Sequence, residues 1–166
     1  MDDKLTRKSQ EALSVAIRRA AADGNPQVDP LHLLAALLEQ SGGTAAPLLR
    51  AVGADPAVLA KETAEQTARL PRIRGTSAGA PELSRQMLTV INTAASRARQ
   101  MEDEYVSTEH LLVGLAADGG DAKAVLSAAG ATPDALLEAF GQIRGSARVT
   151  FWQPAAKQGE QQGTSE

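Results

Sequence analysis

An all-α domain of eight helices, made of two pseudo-twofold-related four-helix repeats, is what this sequence predicts, and three observations predict it. Hydrophobic residues are 43% of the 166 but aromatic residues only 2%. The interior must therefore be assembled from Ala, Leu, Val and Ile, mainly strong helix formers apart from the β-branched pair. Apolar residues recur at three- and four-residue spacing between capping residues. The whole pattern then occurs twice. Leu5-Thr6-Arg7 returns as Leu83-Ser84-Arg85, and at that shift of 78 residues His32-Leu33-Leu34 meets His110-Leu111-Leu112. One residue is then lost from the second copy and the shift becomes 77, relating Gly53, Ala54 and Pro56 to Gly130, Ala131 and Pro133.

The first helix is expected from about Thr6 to Ala22. Leu13, Ala16, Ile17 and Ala20 share one face, and Arg7, Lys8, Glu11, Arg18 and Arg19 occupy the rest. Thr6 suits the N-cap, and Gly24 the left-handed residue that ends the helix. The second helix starts at Asp29-Pro30, a cap followed by a residue whose missing N–H costs nothing in the first turn. It continues through Leu33, Leu34, Leu37 and Leu38. After Ser41-Gly42-Gly43 a short third helix carries Leu48, Leu49 and Val52, closed by Gly53. Asp55-Pro56 opens a fourth that ends before Pro71. This plan places repeat one at about residues 1–70, a connector at 71–82 and repeat two at about 83–145. Neither half buries enough surface to be comfortably stable alone, so the two should share one core. From residue 146 to 166 the composition turns polar and loses periodicity, the signature of a disordered tail. Phe151-Trp152 stands out there, as a linker remnant, a local dock or a partner-binding anchor.

The formal charge of −3 leaves no electrostatic footprint for a phosphate backbone, so nucleic acid is not expected as a partner. With no cysteine there is no disulfide, thiolate ligand or Cys nucleophile. The start Met1-Asp2-Asp3-Lys4 is unlike a secretory signal, and the most apolar stretch, Leu31 to Leu38, is far short of a membrane span. A soluble cytoplasmic protein, with no membrane partner, is the expectation. No Gly-Lys pair exists from which to build a P-loop, and no zinc helix, nucleophile elbow or calcium loop is found. Catalysis, metal binding and a cofactor are accordingly not expected. His32 and His110 occupy equivalent places in the first turn of a helix, which points to a shared packing or hydrogen-bonding role more than to metal or acid–base work. The run Glu102-Asp103-Glu104 reads either as a solvated turn or as a polar contact site. Arg69, Arg72 and Arg74 read either as solvated cations or as a docking surface.

The doubled x-His-Leu-Leu-x-x-Leu helix start and the Gly-Ala-x-Pro turn resemble the Clp N-terminal repeat family, over about residues 1–145. Within it, Leu70-Pro71 to Gly75, Asn25-Pro26 and Ile143-Arg144-Gly145 are most similar to the ClpB-type disaggregases. The resemblance implies a substrate-recognition domain at the front of a hexameric AAA+ disaggregase. Its partners would be unfolded or aggregated polypeptides and the AAA+ ring that threads them, and the isolated domain would be a monomer. It also implies a polar surface cluster, matched here by Thr6, Asp103 and Glu109, beside an apolar groove whose positions hold Ile91, Arg97 and His110. Arg97 and His110 are polar where that groove would be apolar. The alternative function is a stand-alone adaptor or decoy that binds a folded partner or a small molecule.

Overall fold

Helix starts in this protein are set by side chains that take up free backbone N–H groups, and they fix most of its architecture. The computed structural model describes residues 4–73 and 80–145. Repeat one consists of β1 (Lys4–Leu5), α1 (Arg7–Ala22), β2 (Gln27–Val28), α2 (Pro30–Glu39), α3 (Ala45–Ala51) and α4 (Pro56–Thr67). Repeat two follows the same order with β3 (Glu82–Leu83), α5 (Arg85–Gln100), β4 (Tyr105–Val106), α6 (Thr108–Asp118), α7 (Asp121–Ala128) and α8 (Pro133–Arg144). Thr6 Oγ1 accepts from the Ser9 N–H at 3.2 Å and Ser84 Oγ from the Met87 N–H at 3.0 Å, so α1 and α5 start alike. Asp29, Asp55 and Thr132 cap α2, α4 and α8 from just before a proline. Gly24, at φ +73°, ends α1 in the left-handed conformation that the sequence reserved for it.

Eight helices among the described residues match the helical expectation, and four two-residue strands are added to it. β1 pairs in parallel with β4 (Lys4 opposite Tyr105, Leu5 opposite Val106), and β2 with β3 (Gln27 opposite Glu82, Val28 opposite Leu83). Each pair joins the entry of one repeat to the turn before the second helix of the other. The exchange is reciprocal, as a pseudo-twofold axis requires. Beyond each pair the ladder gains one more bond, from the Thr6 N–H to the Val106 carbonyl (3.1 Å) and from the Ser84 N–H to the Val28 carbonyl (3.2 Å).

α2 and α6 lie at the centre of the one hydrophobic core and are buried on nearly every side, through Leu31, Leu33, Leu34 and Leu37 and through Leu111, Leu112, Val113 and Leu115. α1 and α5 pack on them through small residues, Ala12, Ala16 and Ala20 in one and Ala94, Ala95 and Ala98 in the other. The α5–α6 contact is closest at Gly114, where an added Cβ would lie 2.6 Å from the Val90 carbonyl oxygen. The expected tail with Phe151 and Trp152, and the connector residues 74–79, lie outside the described residues.

Candidate functional site

Both histidines sit at the third position of their helix and close a reciprocal cap. In repeat one the Asp29 N–H donates to His32 Nδ1 at 2.9 Å, and in repeat two the Ser107 N–H donates to His110 Nδ1 at 2.8 Å. Nδ1 is thus the acceptor, Nε2 carries the proton, and each Nε2–H donates to the residue seven positions earlier. For His32 that acceptor is Asn25 Oδ1 (2.9 Å), and for His110 it is Asp103 Oδ2 (2.8 Å). The two networks then diverge. Asn25 uses its amide to donate to the Pro71 carbonyl at 2.7 Å, tying the start of the connector to the α1–α2 turn. Asp103 has no donor of its own and instead accepts both guanidinium nitrogens of Arg144, at 2.7 and 2.8 Å.

The Asp103–Arg144 pair is dry, with side-chain exposures of 0% and 10%. Phe140 completes it. The ring stands edge-on to His110 with centroids 5.5 Å apart, and the Arg144 guanidinium lies 4.8 Å from the ring centroid. At the positions that the 77-residue shift relates to Phe140 and Arg144, repeat one has Thr63 and Thr67. There a groove of about 180 Å³ opens beside Thr67, between Arg19, Ala35, Ala60 and Arg72. Electrostatics follow burial in repeat one: it pushes the His32 imidazole below its ordinary value and the Asp29 carboxyl above its own, the latter partly offset by the bond from the Leu31 N–H.

Beside this cluster β1 pairs with β4. Lys4 Nζ lies 5.7 Å from the centre of the Tyr105 ring. Thr108 Oγ1 is shared between Thr44 Oγ1 (2.7 Å) and Glu109 Oε1 (3.4 Å), so the start of α6 stands at the seam with repeat one. Of the six residues singled out in the sequence, Glu109 and Arg97 reach solvent in part, and Thr6, Ile91, Asp103 and His110 are buried. Thr6 comes to β4 through its bond to Val106. His110 and Asp103 touch each other. Arg97 at the end of α5 pairs with Gln100 at 3.3 Å, and Ile91 belongs to the core between α5 and α6. Sequence reasoning missed Arg144 and Phe140 as members of this network. The shift of 78 that aligns the histidines also aligns Asn25 with Asp103, and that exchange of an amide for an acid was the available signal of a cation nearby.

A family model described as the Clp repeat (R) N-terminal domain matches residues 4–129. The chain belongs to that family. Relatives of this Clp N-terminal domain include the chaperone protein ClpB of Mycobacterium tuberculosis, 50% identical over 151 residues, and that of Mycobacterium leprae, 48% identical over 149. These alignments cover 91% and 90% of the chain but 18% of each relative, so it spans under a fifth of their length. The fold is that of the Hsp104 N-terminal domain from Candida albicans (TM-score 0.74, 22% identity, 89% of this chain and 96% of that one). It is also that of the ClpV N-domain solved in complex with a VipB peptide (TM-score 0.65, 16% identity, 83% and 85% covered). Among the described residues of this Clp N-terminal domain no helix is long and apolar enough to cross a membrane, and no group of three or more acidic, His or Cys side chains could hold a metal ion.

Proposed function

We propose that this domain captures exposed segments of unfolded or aggregated polypeptides and presents them to the AAA+ ring of a ClpB-type disaggregase in the cytoplasm. The observation that carries this reading is the 50% identity to ClpB along 91% of the chain. The domain itself performs no chemistry in this reading; it binds and releases. Contact is made at the start of α6. Glu109 is the half-buried polar anchor and Arg97 the cation at the end of α5, while Thr6, Asp103, Ile91 and His110 shape that surface from below. The position suits the task, because a carboxylate that reaches solvent beside a fixed helix start can pair with the backbone N–H groups or basic side chains of an extended segment. Affinity has to be modest for release into a pore, about −8 kcal/mol or weaker per site, which is micromolar.

The test is fluorescence anisotropy of one labelled protein in two states, native and reduced with its thiols blocked. Micromolar binding of the unfolded state alone, weakened by Glu109→Gln, supports the reading. Equal binding of both states, or of neither, refutes it. The VipB-peptide complex of the ClpV N-domain favours a second reading, in which the same fold takes a defined segment of one folded partner, as an adaptor would. Saturable nanomolar binding to a single native protein decides for that alternative.

A further inference from the structure

We propose that Arg144 is a positioning residue for the polypeptide contact at the start of α6, acting through Asp103 and His110 without touching the ligand. This rests on the reading of the Glu109 surface as the contact. The chain of bonds is continuous. Arg144 holds both oxygens of Asp103, Asp103 Oδ2 accepts from His110 Nε2, and His110 Nδ1 accepts from the Ser107 N–H, two residues before Glu109. Arg144 lies 41 residues from Asp103 in sequence and in the last turn of α8, so the end of the domain and the start of α6 are held as one piece.

A buried carboxylate makes this coupling strong in one direction. With Arg144 gone, the buried Asp103 carboxylate loses its two-pronged cation, and the disturbance falls on the segment that joins Asp103 to the Ser107 cap and Glu109. Repeat one shows what a neutral version needs: Asn25 serves His32 with no cation in its network, because an amide carries no charge to neutralise. Removing both charges should therefore disturb the cap far less than removing Arg144 alone.

The experiment uses the full chain and reduced, carboxamidomethylated α-lactalbumin as the unfolded probe, at a temperature where circular dichroism shows each variant folded. Glu109→Gln reports on the contact itself. Arg144→Met is expected to weaken binding about tenfold, within the range of coupling between members of one hydrogen-bond network. Arg144→Lys, which cannot grip both oxygens, should fall between it and wild type. The double variant Asp103→Asn/Arg144→Met should recover most of the loss, which a direct Arg144 contact would not allow, and comparison with every variant folded keeps recovered stability from accounting for it. Should Arg144→Met fail to fold, the Lys variant and the double variant carry the same comparison. Binding by Arg144→Met equal to wild type, with Glu109→Gln weakened, overturns the positioning role and leaves the contact standing. No recovery in the double variant also overturns it. Undiminished binding by Glu109→Gln overturns the contact reading and this proposal with it.

Discussion

His32 and His110 make the same cap bond, and at His32 burial ties that bond to pH. His32 is held neutral by burial, with Asp29 and Asp23 pulling toward the charged form and Arg19 against it. Because its folded value lies below 6.5, the unfolded chain takes up the proton first as pH falls. The stabilisation is thus complete above the ordinary value and is lost progressively below it. Asp29 has the opposite sign. Its raised value means that stability falls as pH rises through the range just above 3.8, a window well below that of His32. Thermal melts between about pH 7.5 and 5.5 are therefore expected to show a declining Tm, and His32→Gln, though less stable, should flatten the decline. An unchanged slope in that variant would assign the pH dependence elsewhere. The cap residues were legible in the sequence because Thr6 and Asp29-Pro30 stand next to the helices that they serve. The Asp103–Arg144 pair was not, since its members stand 41 residues apart and meet only once α8 has folded back onto the start of α6.

Helix α6 is set against α5 by the absence of one side chain. A Cβ at Gly114 would press on the Val90 carbonyl at 2.6 Å, backbone that cannot swing aside. Gly114→Ala is expected to destabilise by about 1–3 kcal/mol, the cost of overpacking a core. Gly141 in α8 is the internal contrast, since a Cβ there meets nothing within 4 Å. Gly141→Ala should stabilise by about 0.5–1 kcal/mol through helix propensity alone. Urea titrations of the two variants should shift in opposite directions; a shift of the same sign in both would show that the α5–α6 spacing adjusts freely. The helices could be read from periodicity and caps. The strands could not, because two residues are too few to show alternation, and what makes Leu5 and Val106 pair is the position of the other repeat.

The two repeats exchange their entries, so neither has a complete set of backbone partners alone. β1 depends on β4, β3 on β2, and α2 and α6 bury their leucines in one continuous core. Residues 1–70 and 80–145 prepared separately are expected to lack a cooperative thermal transition, and mixing them should restore one. Cooperative melting by either half alone would contradict a shared core. The duplication itself was plain in the sequence, down to the shift from 78 to 77. What it hid was the divergence between the copies, Thr63 and Thr67 against Phe140 and Arg144, which ties the end of α8 to the start of α6 in repeat two and leaves a groove in repeat one. The proposed contact lies where the tied copy meets the entry of the other. The most direct measurement is a backbone-amide NMR titration of the labelled chain with reduced, carboxamidomethylated α-lactalbumin. Fast-exchange shifts gathered on Thr6, residues 103–109 and the end of α5 are the predicted result. Shifts confined to other surfaces, or none at all, would contradict it.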